Sequence, residues 1–179
     1  GMAMKDYVIL LDGENNVIGL EDKVRAHVQK RRHSAFSVFL FNDMGHMLLQ
    51  CRADGKYHSA GLWSNTCCSH PGINEECGQQ AHERLKYEMG VDCSLKELGV
   101  FAYEAELDNG MYENEIDSIY IGIYNGTPAP NPQEVKDFKY APYGEIKEDM
   151  EREPGKYTDW FRLMIDDVYG KYLRHFGRK

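Results

Sequence analysis

Seven histidines in an acidic chain invite a metal reading, and His27, His33, His70, Glu113 and Glu115 are residue types that could share an ion, although their spacing alone does not make a site. His27 lies on a short stretch with helical periodicity, four residues from Lys23 and on the same face. His33 opens a run of β-type residues, and His70 lies in a long loop. Glu113 and Glu115 are two apart at the start of a predicted strand, so both side chains point to one face. Imidazole and carboxylate together suit zinc, manganese, iron or magnesium. A set of five or six ligands favours magnesium or manganese over tetrahedral zinc. Taken singly, each histidine also reads as an incidental surface residue, and the two glutamates as a solvated turn. Cys67 and Cys68 are adjacent, so in an extended loop one faces a pocket and the other packs. With His70 they do not form paired C-x2-C spacing, which argues against a structural zinc knuckle.

The elements that must position these groups follow from periodicity. Tyr7 to Leu11 reads as a strand. Leu20, Val24 and Val28 recur every four residues and predict a helix over Leu20 to Lys30. Ala35 to Phe41 and His46 to Cys51 predict a hairpin turning at Asn42-Asp43-Met44-Gly45. Asp54 to Pro71 reads as one long loop, of a length that is usually functional. Cys77, Ala81, Leu85 and Met89 make a single helical stripe ended by Gly90. Val100 to Leu107 and Ile116 to Tyr124 predict two more strands around Asp108-Asn109-Gly110. Pro128, Pro130 and Pro132 mark a stiff connection. The apolar stripe from Trp160 to Leu173 predicts the C-terminal helix. The expectation is one α+β domain over residues 1–179, with a mixed or mainly antiparallel sheet sandwiched between helices.

Composition limits the function classes. Hydrophobic residues make up 42% and charged residues 28%, a globular balance. The net charge of −8 disfavours a nucleic acid or an anionic membrane as partner, and leaves room for a local basic pocket. No apolar run reaches the ~18 residues of a membrane span. Gly1 to Asp6 holds no signal-peptide core, and Gly1 before Met2 reads as an expression scar. Five cysteines, an odd number at irregular spacing, suggest reduced thiols and a cytoplasmic protein.

Three blocks carry a resemblance: Ala35-Phe36-Ser37-Val38-Phe39-Leu40-Phe41-Asn42, Trp63-Ser64-Asn65-Thr66-Cys67-Cys68-Ser69-His70-Pro71 and Glu113-Asn114-Glu115-Ile116-Asp117. In order and content the chain resembles the type 1 isopentenyl-diphosphate isomerases, which have a Nudix fold, from about Tyr7 to Phe161. The hydrolase box of that superfamily, G-x5-E-x7-R-E-U-x-E-E-x-G-U, can be laid on the helix. Its first Gly falls on Ser69, its first Glu on Glu75, its Arg-Glu pair on Glu83-Arg84 and its Glu-Glu pair on Tyr87-Glu88. Its closing Gly-U falls on Gly90-Val91. The frame survives while most carboxylates do not. A hydrolase needs that cluster to hold several Mg²⁺ ions and activate water, whereas Glu88 alone suits one Mg²⁺ against a diphosphate.

The resemblance implies an isomerase acting on a C5 isoprenoid diphosphate through a carbocation-like intermediate. It makes Cys68 and Glu115 the opposed acid and base, with Tyr103 beside Glu115 and Trp160 facing the cation. It assigns a metal to His27, His33, His70, Glu113 and Glu115, as Mn²⁺, Mg²⁺ or Zn²⁺, and a separate Mg²⁺ to Glu88. It assigns the diphosphate to Lys23, Arg52, Lys56 and Arg84. Arg84 and Glu88 are one helical turn apart, which places both toward the same phosphate. The His27–His33 interval is one residue shorter than in bacterial members, and Trp160 follows Asp159 where a Pro is common. A metal-bound carboxylate is a poor acid, so Tyr103 or a water must supply any proton passing through Glu115. The protein is expected as a monomer or weak dimer. The competing readings are a Nudix diphosphate hydrolase and a non-catalytic metal- or diphosphate-binding module.

Overall fold

The computed structural model describes residues 6–177. The reading of Gly1 before Met2 lies outside the described residues, as does most of the Gly1 to Asp6 stretch. The strands are β1 (Tyr7–Leu11), β2 (Val17–Asp22), β3 (His33–Phe41), β4 (Met47–Arg52), β5 (Trp63–Ser64), β6 (Cys67–Ser69), β7 (Lys96–Glu106), β8 (Tyr112–Ile123) and β9 (Val135–Ala141). The helices are α1 (Lys23–Val28), α2 (Cys77–Met89), α3 (Tyr143–Arg152) and α4 (Asp159–His175).

Strand β3 is the hub of the sheet. One edge pairs with β8 in parallel along its whole length, from His33↔Glu115 to Phe41↔Ile123. The other edge pairs antiparallel with β1 at His33, β6 at Phe36 to Val38, and β4 at Leu40 and Phe41. Strand β7 continues the sheet beyond β8, and β9 beyond β4. The sheet is mixed, as expected.

Alternation along the strands builds two cores. Phe36, Val38 and Leu40 of β3 pack with Leu48, Tyr120 and the Ala81, Leu85 and Met89 stripe of α2. Phe39 and Phe41 face the other way and pack with Met47, Leu49, Ile119, Ile121 and the buried faces of α3 and α4. The sheet therefore lies between α2 on one face and α3 and α4 on the other. Gly90 ends α2 at φ +64°, where a side chain would be strained.

Several elements differ from the sequence reading. Leu20 belongs to strand β2, and Leu20, Val24 and Val28 are all exposed; α1 buries Ala26 and His27 instead. The four-residue period therefore marks the outer face of this segment. The predicted loop from Asp54 to Pro71 contains β5 and β6. The predicted hairpin of β3 and β4 has only two paired positions, because the main partner of β4 is β9. Strand β9 and helix α3 lack a strong pattern: α3 buries only Ile146 and Met150 among charged neighbours.

Candidate active site

Period-two geometry explains how the site forms. His33 lies on the same face of β3 as Phe39 and Phe41, and Glu113 and Glu115 lie on the same face of β8 as Ile119 and Ile121. At this end of the sheet the α4-side core gives way to polar groups. Tyr103, Glu115 and His33 face one another across β7, β8 and β3. Tyr103 donates to Glu115 Oε1 at 2.7 Å, while His33 Nε2 lies 3.0 Å from Oε2. His70, just after β6, places Nε2 3.1 Å from that same Oε2. Helix α1 brings His27 Nε2 to 3.3 Å from Glu113 Oε2.

His27, His33, His70, Glu113 and Glu115 each offer a ligand atom, and these atoms lie within 4.8 Å of one another. Their hydrogen bonds fit a metal ion. His27 Nδ1 donates to the Lys23 carbonyl at 2.5 Å, and His33 Nδ1 donates to the Arg31 carbonyl at 2.8 Å. Those bonds turn both Nε2 atoms toward the cluster; a bound cation would take the Nε2 lone pairs, whereas without one, and against the effect of burial, the Glu115 carboxylate beside His33 favours its protonated ring. His27 Nε2 and Glu113 Oε2 are buried without hydrogen-bond partners. A cation between them supplies what both acceptors lack. Burial, and then the neighbouring His70 and His33, push His27 down to about 4, which keeps it neutral at pH 7. Burial and the Glu115 charge hold Glu113 well above the usual carboxylate range. Burial also opposes charge on Glu115, but hydrogen bonds from Glu113, His33 and His70 outweigh it and hold Glu115 well below that range.

The adjacent cysteines separate by strand alternation. Cys67 pairs with Val38 and joins the α2-side core, while Cys68 pairs with Ser37 and lines the cleft. Burial pushes the Cys68 thiol strongly up, so it stays protonated.

The cleft is narrow and opens to solvent on one side. It is lined by Lys23, Arg52, Lys56 and Arg84 as well as Cys68, Tyr103, Glu113, Glu115 and Trp160. The four cations converge from α1, the end of β4, the following loop and α2. The Arg52 guanidinium lies 5.1 Å from the centre of the Trp160 ring, and Lys23 lies 5.1 Å from that of Tyr57. Glu88 sits behind Arg84, with Oε2 accepting from Arg84 Nε at 2.5 Å and Oε1 from Gln50 at 2.9 Å. Each Glu88 oxygen accepts one of these bonds and keeps a second lone pair for an ion.

Sequence reasoning missed four neighbours. Asp117 continues the two-residue register of Glu113 and Glu115, a signal that was available; it accepts from Ser37 Oγ at 2.7 Å. Tyr57 and His58 follow Lys56 into the cleft, and His58 Nε2 lies 3.5 Å from Glu113 Oε1. Glu134, just before β9, pairs with Lys56 and Arg84, and no local pattern marks it.

A NUDIX domain family model matches residues 31–161. Isopentenyl-diphosphate Delta-isomerase 1 of Aromatoleum aromaticum is 45% identical over 92% of this chain and 93% of its own. Isopentenyl-diphosphate Delta-isomerase of Serratia proteamaculans is 37% identical over 98% of each chain. The chain belongs to the isopentenyl-diphosphate Delta-isomerase family. Solved structures support the fold alone. A Deinococcus radiodurans crystal structure matches with TM-score 0.75 at 14% identity, covering 89% of this chain and 98% of its own. A MutT protein from Methanosarcina mazei matches with TM-score 0.61 at 15% identity, over 82% of this chain and 96% of its own. The isomerase family thus carries a NUDIX frame whose hydrolase box has, in this chain, lost most of its carboxylates.

Proposed function

We propose that the chain interconverts isopentenyl diphosphate and dimethylallyl diphosphate by adding a proton to the terminal alkene carbon and removing one from the allylic carbon. The observation that carries this reading is the meeting of four cations with Cys68 and the Glu115–Tyr103 pair in one cleft. Lys23, Arg52, Lys56 and Arg84 take the diphosphate, whose binding positions the small apolar end. Cys68 and Glu115, the latter with Tyr103 on its Oε1, are the opposed proton donor and acceptor on the two sides of the C5 unit. In the reverse direction the roles exchange.

Glu115 divides its duties between its oxygens. Oε2 faces His33 and His70, and Oε1 accepts from Tyr103. A proton arriving on the carboxylate is shared with Tyr103 through Oε1, away from the histidines. Trp160 supplies a ring face to the cationic intermediate, and its burial helps exclude water that would capture the cation.

A divalent ion held by His27, His33, His70, Glu113 and Glu115 supplies fixed positive charge that orders these side chains. Manganese, magnesium or zinc would be the candidate ions for this donor set, and Glu88 would be the protein ligand for Mg²⁺ bound with the diphosphate. The five cysteines are free thiols, which suits a reducing compartment such as the cytoplasm.

The test is incubation with isopentenyl diphosphate and Mg²⁺, following the alkene by NMR and phosphate by colorimetry. The expected product is dimethylallyl diphosphate without phosphate release. Phosphate release indicates a hydrolase, and binding without conversion indicates a non-catalytic module; either result contradicts the proposal.

A further inference from the structure

Two of the four cations in the cleft are held by a carboxylate that the reaction does not require. Glu134 is 7% exposed, and its Oε1 accepts from Lys56 Nζ at 2.5 Å and from Arg84 at 2.9 Å. One oxygen thus links a loop lysine to an arginine on α2. Backbone hydrogen bonds hold the main chain of the residue that carries that oxygen. Ala53 N–H donates to the Glu134 carbonyl at 3.0 Å, and Glu134 N–H donates to the Asn131 carbonyl at 3.0 Å. The pairing of β4 with β9 has its irregularity between Cys51 and Arg52, beside this contact. Such irregularities re-aim side chains near active sites.

Glu88 and Glu134 offset two of the four cations, while Glu113, Glu115 and Asp117 also line the cleft. Arg84 has a second acid partner in Glu88, whereas Lys56 has Glu134 as its one acid partner among the described ion pairs. Burying a carboxylate against cations meant for a substrate costs anion affinity unless it gives something back. What it gives here is direction: it fixes two long, rotamer-rich side chains before the substrate arrives.

We propose that Glu134 is a positioning residue of the diphosphate site, holding Lys56 and Arg84 through one shared carboxylate oxygen. The proposal rests on the reading of this cleft as a diphosphate site. It does not require that the bound diphosphate be isomerised.

The shared oxygen makes the test clean. Glu134→Gln removes the charge and keeps an acceptor at Oε1, whereas Glu134→Ala removes both. Glu134→Leu fills the volume without an acceptor and serves where the alanine variant is unstable; thermal melts establish that each variant is folded. Calorimetry with inorganic diphosphate and Mg²⁺ reads binding, and turnover of isopentenyl diphosphate reads positioning. The variants without an acceptor are expected to bind diphosphate at least about fivefold more weakly and to lose at least about tenfold in kcat, in the range that misplacement of a bound group costs. Glu134→Gln is expected to recover most of both losses. Wild-type affinity in the folded alanine or leucine variant overturns the proposal. So does a glutamine variant as impaired as the other two, since then charge and not the acceptor matters. If the wild-type protein binds diphosphate without forming an isomer, the catalytic reading fails, and the binding comparison still decides the role of Glu134.

Discussion

Cys67 and Cys68 are chemically identical neighbours, and strand alternation alone gives them different surroundings. Cys68→Ala is expected to lower isomerase turnover by roughly 10²–10⁴-fold, the usual loss on removing a positioned acid or base. Cys67→Ala is expected to cost about 1 kcal/mol of stability with turnover largely kept. Steady-state kinetics and urea unfolding of the two variants check this pair, and reversed effects contradict the placement of Cys68 in the cleft. The carboxylates make a second prediction, on metal binding. Burial and the Glu115 charge push Glu113 well above the usual carboxylate range and so favour its protonated form in the metal-free protein. Ligation needs the ionised form, so the incoming ion expels that proton and affinity rises with pH. Calorimetry with Mn²⁺ in buffers of different ionisation heat reads the released proton. Affinity that stays flat between about pH 6 and 8 contradicts the assignment of Glu113 as a ligand. The proposed ligand set was legible through the family resemblance; from the residues alone only the shared register of Glu113 and Glu115 pointed to it. His58 and Glu134 were not legible, because each is a single polar residue outside any period and gains meaning only from partners that folding brings near it.

At the scale of elements, legibility followed the strength of the apolar stripe. Helices α2 and α4 and strand β3 bury continuous faces, and their periods read through. The β2–α1 segment misled because its regular apolar residues face solvent, while its functional residue, His27, is buried without an apolar signal. The β3–β8 pairing joins residues about eighty positions apart in parallel, which no local turn announces. Helix α2 presents Arg84 and Glu88, and its end is pinned at Gly90. A side chain there would meet the Ala129 carbonyl oxygen at 2.6 Å and its Cβ at 2.9 Å, in a left-handed conformation. Gly90→Ala is therefore expected to destabilise the fold by about 2–4 kcal/mol, combining lost αL freedom with overpacking. None of the five clustered ligands lies on α2, so the folded fraction should keep its metal stoichiometry. Urea unfolding with metal analysis of the folded fraction checks both statements; an unchanged unfolding midpoint contradicts the close packing at Ala129.

The whole molecule sets a local positive cleft inside an acidic body. With a net charge of −8, the far field repels a diphosphate, so capture depends on Lys23, Arg52, Lys56 and Arg84 acting at short range. The fold brings these residues together by packing α1, the β4 end with its loop, and α2 around one end of the sheet. Among the described residues no helix is long and apolar enough to cross a membrane. The same sheet end carries the His/Glu cluster, Cys68 and Tyr103, so anchoring and proton transfer share one rigid support. The central claim is that these groups move protons, one onto the terminal carbon and one off the allylic carbon. The most direct measurement is turnover of isopentenyl diphosphate in D₂O, read by proton and deuterium NMR. The account predicts dimethylallyl diphosphate with deuterium in the newly formed methyl group and the diphosphate intact. Isomer formed without deuterium, or diphosphate cleaved while the alkene stays in place, would contradict it.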